Sequence, residues 1–587
     1  MNKILKRFRK RNIQTNIHHF VLVILVVAVS MGLFIGLLIN SMTLKNTIKT
    51  FYLNTNLPDV WVTSDKISQA DEDFYAEYFD YEKRLFLEQK ISIDSKNLDA
   101  NIYVSNGKMS TPYIEKGASL NAVYVDKNDA EKYDLDIDYS KFVVSYNHGG
   151  NVFNLEFMIN GFCSLSEDMV MGDRIRIFID EDVFLSHLKG VLPEDEREGT
   201  EIEYNQALVC AADFADAKTK IENYYEGSSS SLLKIYGQND VESISKMKAE
   251  VRQADFMSYS FPMLFVLVSV LVIISAISQL VQSQHYNIGL LKSMGVPTKT
   301  ITMNYCGYGM FFCFIGSVFG LILAPLIVPN VTFDVYDSLY SIPREYVVMQ
   351  NPILMNILVV FGMVLIGFFS SYFVCSKLIK KPPIECMRHE VKIKMKSRNK
   401  KNKLPNILKM SMRNIRVNKA RTIMSIVSIV GCSLLFMIGY SINVFYNQNA
   451  HTIRISSMKM FSGIFEWFSL ALMLLSIVVL IVQIFKERTK EMAMLRLHGM
   501  PYMKIWLTVL FEMMFVCAIG TLVSFALCQP ALLLAFVIGG VKTTFIADFM
   551  CYFWTFLIIF LMSGITAAAS IPRVYKLNIT DTLKNPE

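Results

Sequence analysis

The sequence predicts a polytopic α-helical membrane protein with eight transmembrane helices in two tandem four-helix repeats. A mixed α+β extracytoplasmic domain is predicted between helices 1 and 2. Three observations lead to this fold class. Apolar runs of about 20 residues, the length that crosses a bilayer, recur along the 587-residue chain. Charge is segregated between one long acidic region and basic flanks. Short motifs recur at fixed offsets, which is typical of an internal repeat.

Charge gives the predicted orientation. Thr43 to Phe256 contain 22 Lys+Arg and 39 Asp+Glu, a net charge of −17, and the rest of the chain contains 36 and 12, a net charge of +24. The positive-inside rule then places the Met1–Asn16 arm and the Lys377–Arg421 loop in the cytoplasm and the acidic region outside. We expect both termini to be cytoplasmic. The basic runs flank membrane spans, so membrane lipid is the expected contact and nucleic acid is not an expected partner.

Five segments follow from the hydropathy and charge pattern. Residues 1–41 are predicted to form an inner-leaflet helix and transmembrane helix 1. Residues 42–256 are predicted to form the extracytoplasmic domain with stalk helices. Residues 257–376 contain transmembrane helices 2–4, with an outer loop at 330–351. Residues 377–403 are a basic cytoplasmic linker, and residues 404–587 contain the second repeat, transmembrane helices 5–8.

Local patterns predict elements of the acidic domain. Alternating polar and apolar residues indicate strands at Asn101–Val104 and Asp173–Asp180. Gly149-Gly150, between two such runs, indicates a β-hairpin, and residues 215–225 are expected to be helical. Cys163 and Cys210, the two cysteines of this region, could form a disulfide in an oxidising compartment. The alternative, two buried free thiols, remains open.

Two helix-turn segments stand out, at Asn287–Ile301 and Glu491–Ile505. Each is predicted to be a short amphipathic helix that is stopped by Gly and then Pro before the next helix starts. Aligned without gaps, the segments share five positions: Leu291/Leu495, Lys292/Arg496, Gly295/Gly499, Pro297/Pro501 and Ile301/Ile505.

The offsets between motifs define the predicted repeat. Arg11-Asn12 recurs as Arg413-Asn414, an offset of 402, whereas the helix-turn segments are 204 residues apart. The difference of 198 residues corresponds to a domain that only the first half contains. Gly316 and Gly520 also coincide under the smaller offset.

On these motifs the chain resembles the FtsX-like permease family, the MacB-type membrane subunits of ABC transporters. The family has a Glu-x-Ala-x-Leu-Arg-x-x-Gly motif after the second span of its four-span unit. The second copy matches this motif at Glu491, Ala493, Leu495, Arg496 and Gly499. The first copy keeps Leu291, Lys292 and Gly295 but has Asn287 and Gly289 in place of Glu and Ala.

The resemblance implies that each helix-turn is a coupling helix that docks on an ATPase. The alternative is that both segments are interfacial re-entry turns. The implied ATPase-coupling residues are Leu291, Lys292, Gly295, Pro297, Glu491, Leu495, Arg496, Gly499 and Pro501. The chain contains no GxxxxGK[ST] phosphate loop. We therefore expect no catalytic residues, metal or cofactor of its own, and ATP bound by a separate ABC ATPase, in two copies per permease chain.

The resemblance further implies a function in the bacterial cell membrane. It predicts a permease of the mechanotransmission type that couples ATP hydrolysis to work on the outer side. That work would be export or extraction of amphipathic peptides, antibiotics or lipid-linked molecules. The alternative is a transmembrane regulator that activates a cell-wall hydrolase or signals to a sensor kinase. Either function is compatible with an extracytoplasmic protein or peptide ligand.

Overall fold

A computed structural model describes residues 17–93, 96–117, 122–170, 172–228, 231–380, 382–384, 406–417, 419–448, 456–538 and 545–569. The predicted inner-leaflet helix before residue 17 and most of the basic linker lie outside these residues. The chain divides into two compact units. The first is Met1–Ile39, Phe256–Asn330 and Pro352–Glu587, and the second is Asn40–Asp255 with Val331–Asn351. We call them the membrane unit and the sheet unit.

Fourteen helices lie within the described residues. They are α1 (Ile17–Asn54), α2 (Gln69–Tyr78), α3 (Lys127–Tyr133), α4 (Glu181–Val191), α5 (Phe214–Gly227), α6 (Glu242–Ser283), α7 (His285–Ser293), α8 (Thr298–Leu339), α9 (Ile353–Leu378), α10 (Asn406–Val417), α11 (Lys419–Gln448), α12 (Ser456–Leu497), α13 (Tyr502–Ile538) and α14 (Phe549–Ala569). Eight of them, α1, α6, α8, α9 and α11 to α14, are long and apolar enough to cross a membrane. This number agrees with the predicted fold class.

Small residues bring helices of the membrane unit close together. A Cβ added at Gly316 in α8 would lie 2.7 Å from Val27 Cβ in α1. A Cβ added at Gly520 in α13 would lie 2.7 Å from Ile429 Cγ2 in α11. Gly316 and Gly520 are 204 residues apart, and Val27 and Ile429 are 402 apart. The two contacts therefore involve positions that correspond under the two offsets of the predicted repeat.

An aromatic contact joins α6 and α12. The rings of Phe261 and Phe465 have their centroids 4.8 Å apart. Phe265 also packs against Phe465, with a centroid distance of 5.1 Å. Phe261 and Phe465 differ by 204 in sequence number. Residues at corresponding positions of the two halves are thus in direct contact.

The sheet unit is built around an 11-stranded sheet. Its strands are β1 (Val60–Ser64), β2 (Asp80–Ile93), β3 (Lys96–Ser105), β4 (Tyr113–Gly117), β5 (Val123–Asp126), β6 (Lys141–His148), β7 (Asn151–Met158), β8 (Gly161–Ser164), β9 (Ile175–Asp180), β10 (Gln206–Cys210) and β11 (Leu232–Gly237). The order is β11-β1-β10-β2-β3-β9-β5-β8-β4, and β6 pairs with β2 and β7. The β3–β9 and β5–β8 pairs are parallel.

Several local predictions for this domain are confirmed. Strands β6 and β7 form the predicted hairpin, and Gly149 and Gly150 adopt positive φ angles of 57° and 87° in its two-residue turn. Helix α5 includes the predicted helix at 215–225. Strand β9 differs from the expected alternation, because its residues 175–179 are all buried. It is an interior strand, paired with β3 and β5. Both of its faces are covered, because Ile175, Ile177 and Ile179 belong to one hydrophobic cluster and Phe178 belongs to another.

Helix α8 continues well beyond the predicted end of its span near residue 329. It runs to Leu339, and its last turns belong to the sheet unit. There Tyr340, just after the helix, donates a hydrogen bond from Oη to Glu250 Oε1 of α6 at 2.7 Å. The amide of Gln350 donates to Thr43 Oγ1 of α1 at 2.9 Å. Much of the predicted outer loop is therefore helix that packs within the sheet unit.

The glycine contacts predict a difference between two Gly→Ala substitutions. Gly316→Ala places a methyl group against Val27 and should destabilise the membrane unit by about 1–3 kcal/mol, as overpacking does. Gly362→Ala in α9 is the matched control, because a Cβ there meets no atom within 4 Å. Its effect should lie between neutral and a stabilisation of about 1 kcal/mol. Apparent melting temperatures of the full chain in neutral detergent measure both, and equal values for the two variants would contradict the close contact.

Candidate functional site

The first helix-turn ends in a Schellman motif. Helix α7 stops at Ser293, and Gly295 follows with a φ of +81°. The Gly295 amide donates to the Lys292 carbonyl at 3.0 Å, and the Val296 amide donates to the Leu291 carbonyl at 3.1 Å. These are the two bonds that define the motif, and the left-handed residue between them favours glycine.

The second helix-turn has the same backbone geometry. Helix α12 stops at Leu497, and Gly499 has a φ of +80°. The Gly499 amide donates to the Arg496 carbonyl at 3.0 Å, and the Met500 amide donates to the Leu495 carbonyl at 3.1 Å. The two caps match bond for bond at an offset of 204 residues.

A proline begins the next helix after each cap. The Ile301 amide donates to the Pro297 carbonyl at 3.3 Å, and the Ile505 amide donates to the Pro501 carbonyl at 3.2 Å. Proline suits this position, because the first amides of a helix have no partner within the helix. The angle between each helix-turn and the following long helix is thereby set by fixed backbone geometry in both halves.

The helices before the two caps differ. The first helix-turn is a separate nine-residue helix, α7. The second is the last part of the 42-residue helix α12. The prediction of a short separate helix therefore holds for the first copy and is wrong for the second, because no helix break separates it from the preceding span.

The basic residues of the two motifs make different local contacts. The Lys292 ammonium donates a hydrogen bond to the carbonyl of Ile379, the C-terminal cap residue of α9. A cation at this end of a helix interacts favourably with the helix dipole. Arg496 instead donates from Nη1 to the Met500 carbonyl at 3.2 Å, and its guanidinium carbon lies 3.9 Å from the ring centroid of Tyr502. Lys292 thus connects the first helix-turn to the end of α9, whereas Arg496 stabilises its own turn.

In both helix-turns, the most exposed apolar residues are not the predicted leucines. Leu291 and Leu495 are half-buried. Before the caps, the exposed large apolar side chains are Leu290 and Met294 in the first copy, with exposures of 45% and 63%, and Met494 and Leu497 in the second, with 52% and 60%. Glu491, Gly295, Gly499, Pro297 and Pro501 are also exposed. Sequence reasoning selected the shared leucines, whereas helical geometry decides which neighbouring positions face outward.

Cys163 and Cys210, for which a disulfide and free thiols were both open, lie in different parts of the sheet unit. Both residues are free thiols. Cys163 lies on β8, fully buried in a cluster with Tyr103 and Phe178. Cys210 ends β10 and packs against a different cluster that contains Trp61 and Leu208. The second of the two open alternatives, unbonded thiols on strands, describes these residues.

Sequence reasoning missed a buried charge cluster in the sheet unit. The Arg176 side chain is 1% exposed and donates from Nε to Asp129 Oδ2 at 2.8 Å and from Nη2 to Asp126 Oδ1 at 2.7 Å. Its third nitrogen donates to the Asp168 carbonyl at 2.5 Å. One guanidinium therefore faces two buried carboxylates. Breaking such a buried cluster by removing one partner is strongly destabilising.

This cluster also binds the segment that follows α8. The Ser341 hydroxyl donates to Asp126 Oδ1 at 2.6 Å, and the Ser341 amide donates to the Met169 carbonyl at 3.1 Å. Next to it, Lys127 Nζ lies 3.1 Å from Asp337 Oδ1 and 3.1 Å from Glu115 Oε2. Charged contacts thus attach residues 337–341 to α3 and the strands beside it.

The Asp126 carboxyl gives a testable pH dependence. Burial raises its pKa to about 7, although Arg176 opposes the shift. The pKa in an unfolded chain is about 3.9, so the stability that this group contributes is complete below about pH 4 and is lost as the pH rises through about 7. The apparent melting temperature of the full chain should therefore fall as the pH rises from about 5 to about 7, and this contribution should level off above pH 7. Asp126→Asn mimics the neutral carboxyl and should flatten that slope.

Asp216→Asn, at an exposed carboxylate on α5, is the control and should keep the wild-type slope. If the Asp126→Asn variant loses stability between about pH 5 and about pH 7 as steeply as the wild type, Asp126 is not the titrating group.

Comparison with known families places both helix-turns within one type of domain. The FtsX-like permease C-terminal domain matches residues 259–383 and 463–579. The first matched segment contains α7 and its cap, and the second contains the end of α12 and its cap. No curated protein sequence matches the chain significantly. With two matched segments that each contain one helix-turn, the chain is an FtsX-like permease, a multi-pass membrane subunit of an ABC transporter.

Proposed function

We propose that this permease is of the mechanotransmission type and couples ATP hydrolysis by a separate ABC ATPase to work on the outer side of a bacterial cell membrane. The observation that supports this most directly is the pair of matching caps at Gly295 and Gly499. Each cap joins a short exposed helical segment rigidly to a long membrane helix. A push on that segment would move the helix that follows.

The exposed apolar side chains supply the docking surface of this proposal. Leu290 and Met294 in one copy, and Met494 and Leu497 in the other, project large apolar groups beside a cap. Burying apolar surface contributes about 25 cal/mol per Å². Two such segments in one chain would each hold one ATPase.

A contact between corresponding residues of the two halves supports this stoichiometry. In a two-fold interface a residue near the axis meets its own counterpart. The contact between Phe261 and Phe465, 204 residues apart, has this property. We therefore propose that one permease chain takes the place of the two subunits that a single four-span unit would need, and that it binds two ATPases.

The three longest connections to the sheet unit suit transmission of force. Helices α1, α6 and α8 contain 38, 42 and 42 residues, whereas a membrane span needs about 20. Uninterrupted helices transmit a displacement along their axes. The proposed substrates are amphipathic peptides, antibiotics or lipid-linked molecules, which can be released or extracted on the outer side.

Copy number is the first test. The permease is purified from native membranes with its bound ATPase, and the complex is weighed by native mass spectrometry. We expect one permease chain with two ATPase chains. Two permease chains per ATPase pair would contradict the proposal. A cell-wall hydrolase or sensor kinase in the same complex would favour the regulatory function over transport.

Single substitutions test the docking surface. Leu290→Glu and Met494→Glu occupy corresponding positions, and each puts a charge into an exposed apolar contact. Each should weaken ATPase binding about tenfold or more, the loss expected at an interface hot spot, and the double variant should lose it. We expect Met494→Glu to have the larger effect, because the second copy keeps Glu491 and Ala493 of the family motif.

Leu233→Glu is the matched control. Leu233 is 60% exposed on β11 of the sheet unit, and its replacement should leave ATPase binding unchanged. Retention of the ATPase by the double variant would contradict docking at these turns. Equal losses in the two single variants would contradict only the predicted asymmetry.

A further inference from the structure

A groove in the sheet unit runs between the end of α1 and the beginning of α6. Its volume is about 750 Å³, which is within the range of small-molecule sites. Ser41 and Lys45 of α1 both contact Asp255 of α6, the former by a hydrogen bond and the latter at 3.6 Å. These contacts join the two helices next to the groove.

Four basic side chains line the groove: Lys45, Lys49, Lys248 and Arg252. One carboxylate, Asp59, is also among the lining residues. This balance contrasts with the surrounding region, whose net charge from Thr43 to Phe256 is −17. The basic groups are therefore concentrated here against the overall charge of the domain.

Two charged residues of the groove, Lys248 and Asp59, hydrogen-bond to neutral amide groups. Lys248 Nζ donates to Gln238 Oε1 at 3.1 Å and to Asn239 Oδ1 at 3.0 Å. Asp59 accepts from Gln238 Nε2 at 3.1 Å and from the Ala211 amide at 3.0 Å. Neutral amides fix the Lys248 ammonium without cancelling its charge. The four basic side chains outnumber the two nearby carboxylates, Asp59 and Asp255, so the groove keeps a net positive charge.

The basic residues are spaced so that like charges repel each other along each helix. Lys45 and Lys49 are four residues apart on α1, and Lys248 and Arg252 are four apart on α6. Like charges at this spacing are neighbours on a helix surface and destabilise it by a few tenths of a kcal/mol per pair, in order of magnitude. A bound anion would offset this repulsion on both helices at once.

Apolar side chains also line the groove. Ile48 is 6% exposed, Leu57 is 8% exposed, and Val251 also lines the site. Leu53, at the groove, is 66% exposed. A small hydrophilic anion would leave these apolar side chains uncovered, whereas an amphiphile would cover them.

We propose that this groove binds an anionic phospholipid, with its phosphate at the four basic side chains and the upper part of its acyl chains against Ile48 and Val251. The sequence predicts that the adjoining membrane spans end near residues 41 and 257, so the lowest basic residues are about one turn from those ends. Lys and Arg at this position attract anionic headgroups. Lipid binding here rests on one part of the proposed function, namely that the sheet unit lies on the outer side of the membrane.

The test uses the purified full chain in neutral detergent, without ATP or ATPase. Phosphatidylglycerol, phosphatidylcholine and glycerol phosphate are titrated separately, and bound molecules are counted by native mass spectrometry. We expect saturable binding of phosphatidylglycerol and much weaker binding of the other two. In Lys49→Gln/Arg252→Gln, its affinity should fall about thirtyfold, which corresponds to about 1 kcal/mol for each basic residue.

Lys90→Gln/Lys116→Gln is the matched control, because it removes the same charge from two exposed lysines elsewhere in the sheet unit. Its affinity should equal that of the wild type. Equal losses in both double variants, or equal binding of phosphatidylcholine, would overturn the proposal. Glycerol phosphate binding as tightly as the lipid would also overturn it, because the site would then bind small anions. None of these outcomes bears on ATPase stoichiometry, which is measured separately.

Discussion

The constraint on which this structure depends is that backbone amides and carbonyls in hydrocarbon must be satisfied within the helix itself. Each span is therefore an uninterrupted helix. Three of these helices continue beyond the length that the hydrocarbon layer requires. The last turns of α1 and α8 and the first turns of α6 belong to the sheet unit. Their polar side chains then bond to one another, as Tyr340 does with Glu250. The groove between α1 and α6 also exists only because both helices continue.

Features with a local cause could be predicted from the sequence. Apolar length gave the eight spans, Gly149-Gly150 gave the hairpin, and Gly followed by Pro gave the helix ends at both turns. Features that depend on distant residues could not. Arg176 is 47 residues from Asp129, and no local pattern indicates that pairing. The end of α8 was missed because hydropathy falls after residue 329, whereas its helical state depends on packing within the sheet unit.

The candidate coupling site shows the same division. The cap geometry follows from Gly295 and Gly499 alone, so it could be predicted. The contacts of Lys292 and Arg496 could not, because they depend on which group lies nearby: a helix-end carbonyl in one copy and a tyrosine ring in the other. Two residues at corresponding motif positions therefore have different surroundings. A shared position does not by itself imply an equal contribution to a partner interface.

The contact between Phe261 and Phe465 has a consequence for how the molecule is assembled. Both rings belong to one polypeptide, so the two halves meet in a unimolecular step whose equilibrium does not change with dilution in the bilayer. A homodimer would separate at low abundance and would have to duplicate every insertion. Here α11 ends at Gln448 and α12 begins at Ser456, whereas all eleven strands of the sheet lie between the end of α1 and the start of α6. Covalent fusion lets the first half diversify without imposing the same addition on the second.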